Sequence, residues 1–504
     1  MFNMNEILMR LQMTAARVSS EIIKDLIQDN TGYQTGLIKK YNAYKAVGLP
    51  ISSRKEGKAN KANNKLINDY RGEIVDQLTG YLFGNPVTYS LNPEAYDNKT
   101  DSSEYKAHVT ELKEFKQINK LEELDGETGK FMSACGRAAR LLYIDTKGKT
   151  RVMAVPPWEC IFIYDQSLDQ TQYALRYYNV YEMIDGKPVT KIRVEWYDRQ
   201  NVYYFIGTQE SGYMADVTEV LINNELKAGT EQAHQFNMVP LIDFQNNTEL
   251  LGDFEKTESL IDGYDRLLSD AQNEIEDLRQ AYLLFKGVTP DDAVIKKAKE
   301  SGAFGCEAGD SIEYLTKQLN DTFVENQKKS LRENIYRFSK TVDVSADTFT
   351  GSGASGEARK WLLLALENRG SKMALKFKSG VLSMFSVAET IWQKKGIDLT
   401  AADIQIDIDR NLPVELKLES EIQTALKGVI SDRTRLKLFS PVRDVDEELK
   451  QMAEENDGMV NLDNVPPDNN APDPEKEKAM QADMAAMKAG TMTQAEYDAK
   501  WSAE

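Results

Sequence analysis

The stretch GDFEKTESLIDGYDRLLSDAQNEIEDLRQAYLLFKG, from Gly252 to Gly287, constrains this chain most, because its apolar period is sustained and glycine marks both ends. Leu260, Tyr264, Leu267, Ala271, Ile275 and Leu278 recur every three or four residues, which places them on one side of a helix. A helix from Asp253 to Ala281 would extend roughly 40 Å at 1.5 Å per residue, a strut rather than an ordinary domain helix. Its remaining faces are dominated by acids, from Asp253 and Glu255 through Asp262, Asp265 and Asp270 to Asp277. A second long helix is expected from about Lys317 to Val342, with Leu319, Phe323, Leu331, Ile335, Phe338 and Val342 as its stripe and Lys328, Lys329, Arg332, Arg337 and Lys340 outnumbering its acids. An acidic helix out and a basic helix back predict an antiparallel pair with opposite charges facing, within one chain or between neighbours. Exposed pairs contribute only about 0.2–1 kcal/mol each, so they would set register more than stability.

Between the two helices, the apolar runs YLLFKGV and SIEYLT flank a short helix over Asp291 to Glu300 and a turn containing Gly302, Gly305 and Gly309. Upstream, residues 1–48 are helical in pattern, with Leu8, Leu11, Ala15, Val18, Ile22 and Leu26 on one side. A basic loop follows, in which Arg54, Lys55, Lys58, Lys61 and Lys65 sit among Gly, Ala and Asn. Leu66, Ile67, Tyr70, Ile74, Val75, Leu78 and Leu82 then predict a helix ending near Gly84, and Pro86 opens an extended run. A second helical region spans Glu104 to Arg140. From Leu141 the period changes to two, and short aromatic and β-branched strands follow, with turns at Gly148, Asp185-Gly186 and Asp198 to Asn201. Trp158, Tyr164 and Trp196 read as packing residues of this antiparallel module.

With 62 Lys and Arg against 80 Asp and Glu, the chain carries a formal charge of −18. Tight, sequence-independent grip on phosphates needs neutralising cations, so it is not expected of the chain as a whole. Cys135, Cys160 and Cys306 lack CxxC spacing, and no disulfide framework or zinc site is expected. The longest apolar run, near Trp361 to Leu366, is far below the roughly 18 residues of a membrane span, and the amino terminus is too polar for a signal peptide. A reducing, cytosolic setting fits these features, and no membrane partner is expected.

The chemical motifs are weak. Gly351, Gly353 and Gly356 spell GxGxxG before a helix, but a helix bearing Trp361, Leu364, Met373, Phe377, Val381, Met384, Phe385, Ala388 and Trp392 follows where a dinucleotide fold needs a second strand with its acid. Asp403, Asp407 and Asp409 begin like a calcium loop, yet Leu412 and Leu418 occupy the positions that require Gly and Glu. His108 and His234 are the only histidines, and neither has a nucleophile nearby in sequence. No enzyme activity, cofactor or metal is expected. Residues 413–456 read as Glu- and Lys-rich helices, followed by a Pro-, Asn- and Asp-rich linker expected to be disordered. Thr493 and Glu496 stand at capping-box spacing before a short terminal helix.

Three segments carry a family resemblance. Asn64, Asn68, Tyr70, Ile74-Val75-Asp76, Tyr81 and Gly84-Asn85-Pro86-Val87 resemble a segment of the portal proteins of tailed double-stranded DNA bacteriophages, in particular the branch with long flexible tails. The run PPWECIFIYD is similar to a strand of that family, and Gly252-Asp253, Leu260-Ile261-Asp262, Tyr264-Asp265, Ser269-Asp270, Asn273-Glu274 and Ala281-Tyr282-Leu283 resemble its stem region. The resemblance implies an α+β portal fold: an N-terminal helical segment (1–59), a wing in two parts (60–251 and 357–410), stem helices (252–281 and 317–344), a small α/β clip (282–316), a tunnel loop (345–356), a helical crown (411–456) and a disordered tail ending in a short helix (457–504). It further implies a closed ring, commonly of about twelve subunits, at one capsid vertex of a virion assembled in the host bacterial cytoplasm.

On this resemblance Tyr264, Leu267, Ile275, Leu331, Ile335 and Phe338 belong to the stem. Phe285, Lys286, Asp291, Lys296, Lys297, Phe304 and Glu307 would form the clip that docks the terminase large subunit and the head completion or adaptor protein. Thr348, Phe349, Thr350, Gly351, Ser352, Gly353, Ala354 and Ser355 would form a loop that meets passing DNA sterically, since no Lys or Arg precedes Arg359 there. Major capsid and scaffolding proteins are further implied partners, and double-stranded DNA would be held weakly and without sequence preference. The competing readings are a cytosolic nucleotide-binding enzyme using Gly351 to Gly356 and an oligomeric scaffold that is not a portal.

Overall fold

The computed structural model describes residues 9–11, 18–55, 62–165, 171–184, 186–222, 225–278, 282–286, 291–301, 311–315, 321–345, 361, 363–412, 416–439, 441–442, 445–460 and 474–501. The chain divides into two units, Met1–Leu412 and Pro413–Glu504.

In the first unit, α1 (Ser20–Tyr44) and α2 (Tyr70–Phe83) precede β1 (Thr88–Leu91), α3 (Ser103–Asn119) and α4 (Leu121–Cys135). The amino-terminal helix is shorter than its pattern suggests: its cap is Ser19, whose hydroxyl accepts from the Ile22 N–H at 3.3 Å, with a separate helical stretch at residues 9–11. Strands β2 (Arg137–Ile144), β3 (Thr150–Val155), β4 (Cys160–Tyr164), β5 (Thr171–Ile184), β6 (Lys187–Tyr197), β7 (Asn201–Thr208), β8 (Gly212–Ala215), β9 (Thr218–Ile222), β10 (Glu225–Gly229), β11 (Glu231–Ala233) and β12 (Leu241–Gln245) follow. They form the antiparallel module that the period-two pattern predicts. One sheet runs β11-β7-β6-β5-β4 with β8 also on β7, another runs β12-β2-β3, and β9 pairs with β10.

The apolar stripe of α1 packs Ile22, Ile23, Leu26 and Ile27 against Leu175, Tyr177, Val194 and Trp196 of the larger sheet. Trp196 is fully buried, and Trp158 packs tilted against Tyr41 and edge-on against Phe131, so both are packing residues. His108 and His234 are buried, with the first bonded to the Tyr96 hydroxyl and the second to the Asp198 carbonyl.

The chain continues through α5 (Glu258–Leu278), β13 (Tyr282–Lys286), α6 (Asp292–Ser301), β14 (Ser311–Leu315), α7 (Asp321–Ser339), α8 (Leu364–Lys394) and β15 (Ile404–Asp407). Strand β15 returns to pair antiparallel with β1, Thr88 opposite Asp407, which ties the end of this unit to its beginning. Helix α8 carries the main core: Phe377, Val381, Met384, Ala388 and Trp392 are buried at steps of three and four, with Phe385 buried beside them. Its approach to β12 needs glycine, because a Cβ on Gly380 would lie 2.5 Å from the Phe244 ring.

Within this core sits a buried ion pair. The Arg140 guanidinium donates to Asp125 Oδ1 at 2.7 Å, to Thr128 Oγ1 at 2.8 Å and to the Leu124 carbonyl at 3.1 Å, and it lies 4.7 Å from the Phe244 ring centroid. The Tyr89 hydroxyl completes Asp125 by donating to Oδ2 at 2.7 Å. One charge thereby joins α4, β2, β1 and the α8 layer.

The second unit contains α9 (Leu416–Leu426), α10 (Asp432–Lys437), α11 (Val445–Val460), α12 (Pro474–Lys488) and α13 (Gln494–Trp501). Residues 461–473 of the expected linker lie outside the described residues, and helix α12 corrects its end: a helix begins at Pro474, where proline suits the first turn because its missing N–H would have no helical acceptor. The Glu496 carboxylate accepts from the Thr493 N–H at 2.9 Å, as the capping-box spacing predicts.

Replacing Arg140 by Ala leaves Asp125 buried without its cation. Chemical denaturation is expected to show a loss of about 3–5 kcal/mol; a loss below about 1 kcal/mol would contradict the buried pair.

Candidate functional site

The geometry that organises the site is the seating of α5. At its base, the end of α4 cradles the segment leading into it. Gly136 adopts φ +84°, and a Cβ there would meet the Leu250 carbonyl oxygen at 2.2 Å. The Asn246 N–H donates to the Gly136 carbonyl at 3.0 Å, and the Asp253 N–H to that of Ser133 at 2.8 Å. The buried Asp253 carboxylate accepts from Ser133 Oγ at 2.6 Å and from Arg369 Nε at 2.6 Å.

Above this base, the extended segment Asn64 to Asn68 lies along α5. The Asn68 N–H donates to Asp265 Oδ1 at 2.9 Å, the Leu66 N–H to Ser269 Oγ at 3.0 Å and the Asn64 N–H to Asn273 Oδ1 at 2.7 Å. The side chains of Asn68 and Asn64 add bonds of 2.9 Å each to the same oxygens. The register is physical: two extended residues advance roughly 6.7 Å, while four helical residues advance roughly 6.0 Å. Alternate N–H groups of the strap therefore meet every fourth helical residue over three rungs. At its end, the buried Arg71 donates to Asp262 Oδ1 at 2.5 Å, and Arg54 donates to Asp270 Oδ1 at 2.5 Å. Burial raises the Asp265 carboxyl pKa, opposed by the Asn68 bonds and the Arg71 charge.

Helix α7 packs on α5, with Ile261, Tyr264, Ile335 and Tyr336 in one core cluster and Leu331 beside Gly263. Strands β13 and β14 pair antiparallel between the two helices, Tyr282 opposite Leu315. On the other side α2 presents a row of contacts. Tyr70 sets its ring edge-on to Tyr264 at 5.1 Å and to Tyr336 at 5.8 Å. Glu73 accepts from the Tyr336 hydroxyl at 2.8 Å, Gln77 bonds both backbone groups of Val342 at 2.6 and 2.7 Å, and the Tyr81 hydroxyl donates to Glu367. Arg410 holds Glu367 with two parallel bonds of 2.9 and 3.0 Å. Burial opposes it, but the bonds from Arg410, Ser371 and Tyr81 hold the Glu367 pKa at about 2, below its ordinary 4.5.

This arrangement is an anchored helical hairpin, with no grouping of His, Cys, Asp and Glu able to hold a metal among the described residues. Among them, too, no helix is long and apolar enough to cross a membrane. Residues 23–461 match the family described as phage portal protein, SPP1 Gp6-like. The chain belongs to the phage portal protein family. It is 26% identical over 419 residues to the portal protein of Bacillus phage SPP1, covering 78% of this chain and 76% of that one. The portal protein of Clostridium phage phiCD119 is 24% identical over 472 residues, covering 89% of this chain and 96% of that one. The chain is thus a structural portal subunit serving DNA packaging, and nothing in these findings favours a nucleotide-binding enzyme. Family membership implies a ring oligomer associated with capsid and DNA, within the virion.

The expected stem residues separate. Tyr264 and Ile335 are buried, and Leu267 and Leu331 are half-buried. Ile275 and Phe338 are 47% and 53% exposed, which corrects the expected stripe. The buried face of α5 is rotated toward Ile261, Asp265, Ser269 and Asn273, because the strap takes the polar side as its seat. Within one chain the described ion pairs of the two helices lie elsewhere than between them: Asp262 and Asp270 pair with Arg71 and Arg54, while Arg332 pairs with Asp343 beyond the end of its own helix.

Of the expected clip residues, Phe285 and Lys286 lie on β13 opposite Ile312 and Ser311, Asp291 and Lys296 are exposed, and Lys297 lies on α6. Phe304, Glu307 and Thr348 to Ser355 lie outside the described residues, as does Gly351 to Gly356. Sequence reasoning singled out Asn64 and Asn68 without a reason for them. It passed over Gln77, Glu367 and Arg410; the usable signal for the strap was the four-residue spacing of Asp265, Ser269 and Asn273.

A double-mutant cycle of Asn68→Ala with Asp265→Ala should give a coupling of about 0.5–3 kcal/mol in unfolding free energy. Coupling below about 0.3 kcal/mol would separate the two residues energetically. The Glu367 pKa is lowered on folding, so its stabilisation is present above pH 4.5 and is lost as pH falls toward 2. Thermal melts of the native chain and Glu367→Gln should differ at neutral pH and converge as pH falls across that window. A constant difference would remove the carboxylate from the account.

Proposed function

We propose that α5 and α7 form the stem of a closed ring, commonly of about twelve subunits joined head to tail, with β13, α6 and β14 as a clip at its tip. In this reading, residues 60–251 and 357–410 are the wing, 345–356 the tunnel loop and 411–456 the crown. The clip docks the terminase large subunit during packaging and later the head completion or adaptor protein. Major capsid and scaffolding proteins surround the ring at one vertex, in a virion assembled in the bacterial cytoplasm. The portal itself catalyses no step.

The observation that carries the reading is that large apolar side chains, Ile275, Phe323 and Phe338, are left exposed on a hairpin whose base is otherwise anchored. A neighbouring subunit's stem is what would cover them. The charge of −18 per chain supports weak contact with DNA, because a predominantly acidic lining repels phosphates and lets the duplex slide.

Native mass spectrometry with negative-stain imaging tests this. The expected result is a ring with a central hole wide enough for duplex DNA, together with loss of the ring, but not of the subunit fold, in Phe338→Asp. Closed assemblies without a hole would favour a scaffold that is not a portal, and a Phe338→Asp chain that still forms rings would remove the stem contact.

A further inference from the structure

We propose that Glu73, Gln77 and Tyr81 of α2 are positioning residues of the channel, a three-step ladder that sets the spacing between the end of α7 and the start of α8. The proposal rests on the portal reading of residues 345–356 as the loop that meets DNA.

The three residues are four apart, so they stand on one side of α2 about 6 Å from step to step. Each step holds a different piece of chain. Glu73 takes the Tyr336 hydroxyl inside α7 at 2.8 Å. Gln77 takes Val342, three residues beyond the end of α7, and does so completely: its amide Nε2 donates to the Val342 carbonyl at 2.6 Å and its Oε1 accepts the Val342 N–H at 2.7 Å. Tyr81 takes Glu367 in the first turn of α8. The side-chain amide thus replaces the helical partners that Val342 has lost.

Both flanks of residues 346–360 are therefore fastened to a single helix, one turn apart. Covalent connection alone does not impose that spacing, since fifteen residues can extend roughly 50 Å. The flanks carry further fixings of their own. Arg332 closes on Asp343 with bonds of 2.6 and 2.9 Å, and Arg410 and Ser371 complete Glu367. Those hold each flank locally, whereas among the described bonds Gln77 and Tyr81 refer both to the same rigid element. The opposite end of that element touches the stem through Tyr70, which packs on Tyr264 and Tyr336. The α2 helix is thus a ruler between stem and loop flanks, and the amide of Gln77 is its central step.

The test is a distance. Val344 and Leu364 are 52% and 47% exposed on the two flanks. Spin labels at Val344→Cys and Leu364→Cys, in a chain carrying Cys306→Ser, would be measured in rings diluted with unlabelled subunits. The native ladder should give one narrow distance distribution. Gln77→Leu with Tyr81→Phe removes the bonds while keeping the side-chain bulk; the distribution should broaden, and DNA packaged per capsid should fall several-fold while rings still form. If the double variant does not assemble, Gln77→Leu alone is measured. An unchanged distribution overturns the ladder, and a broadened distribution with normal packaging overturns its positioning role. Failure of the portal reading is separate: it would appear as native rings that package nothing, whatever the distance, because the distance measurement needs no DNA.

Discussion

The structure of the first unit depends on how a long acidic helix is held without a wide apolar face. Helix α5 buries few apolar side chains, so hydrophobic burial alone gives it little. The strap from Asn64 to Asn68 supplies what is missing. Its backbone N–H groups need acceptors wherever they leave water, and Asp265, Ser269 and Asn273 need donors once buried. Each strap N–H finds its acceptor, with the second Asp265 oxygen left facing the Arg71 guanidinium at 4.0 Å, and the near-equality of two extended steps and four helical steps lets the match repeat. A displaced register would leave several buried polar groups unpaired at about 1–3 kcal/mol each. The strap is therefore stronger as a determinant of register than as a source of net stability.

That register fixes more than one helix. The strap runs directly into α2, so the position of α5 sets where Tyr70, Glu73, Gln77 and Tyr81 stand. Asp253, at the foot of α5, binds Arg369 of α8, while Glu367, two residues earlier, is bound from α2 and Arg410. The foot of α5 and the beginning of the long helix α8 are thus located by the same small set of charges. Those charges are paired where buried, as with Arg140 and Asp125, because an uncompensated ion in the core would cost several kcal/mol.

Much of this was legible in the sequence as elements and little of it as faces. The period of Leu260, Tyr264 and Leu267 announces a helix, and alternation with turns at Gly148 and Gly186 announces antiparallel strands. The buried face of α5 was misplaced because Asp265, Ser269 and Asn273 look like solvent-facing residues until a donor is known. That donor lies about 200 positions upstream in the backbone of a segment that reads as a loop. The bond between Gln77 and Val342 spans 265 positions and joins a side chain to backbone, so no local pattern marks it. The family resemblance reached further than the periodicity, since it singled out Asn64, Asn68 and Asp265 before any contact explained them. At the end of the expected linker the error ran in the opposite direction: a Pro- and Asp-rich stretch suggests irregular chain, yet proline at the first turn is compatible with the helix from Pro474.

An anchored hairpin that leaves apolar residues exposed has a thermodynamic consequence. Ile275 and Phe338, 47% and 53% exposed, leave about half of their burial unmade in the isolated subunit, about 1 kcal/mol each. The polar strap fixes the direction in which the hairpin leaves its base, so in the proposed ring the two side chains would meet a neighbour at a defined angle rather than be searched for by a mobile arm. Preorganisation of this kind lowers the entropy lost on association. It also links assembly to folding, because a partner that binds only the folded subunit stabilises it by mass action. In the proposed ring such subunits would gain at the stem what each chain leaves unfinished, while the acid excess would limit association to places where apolar surface outweighs repulsion between like charges.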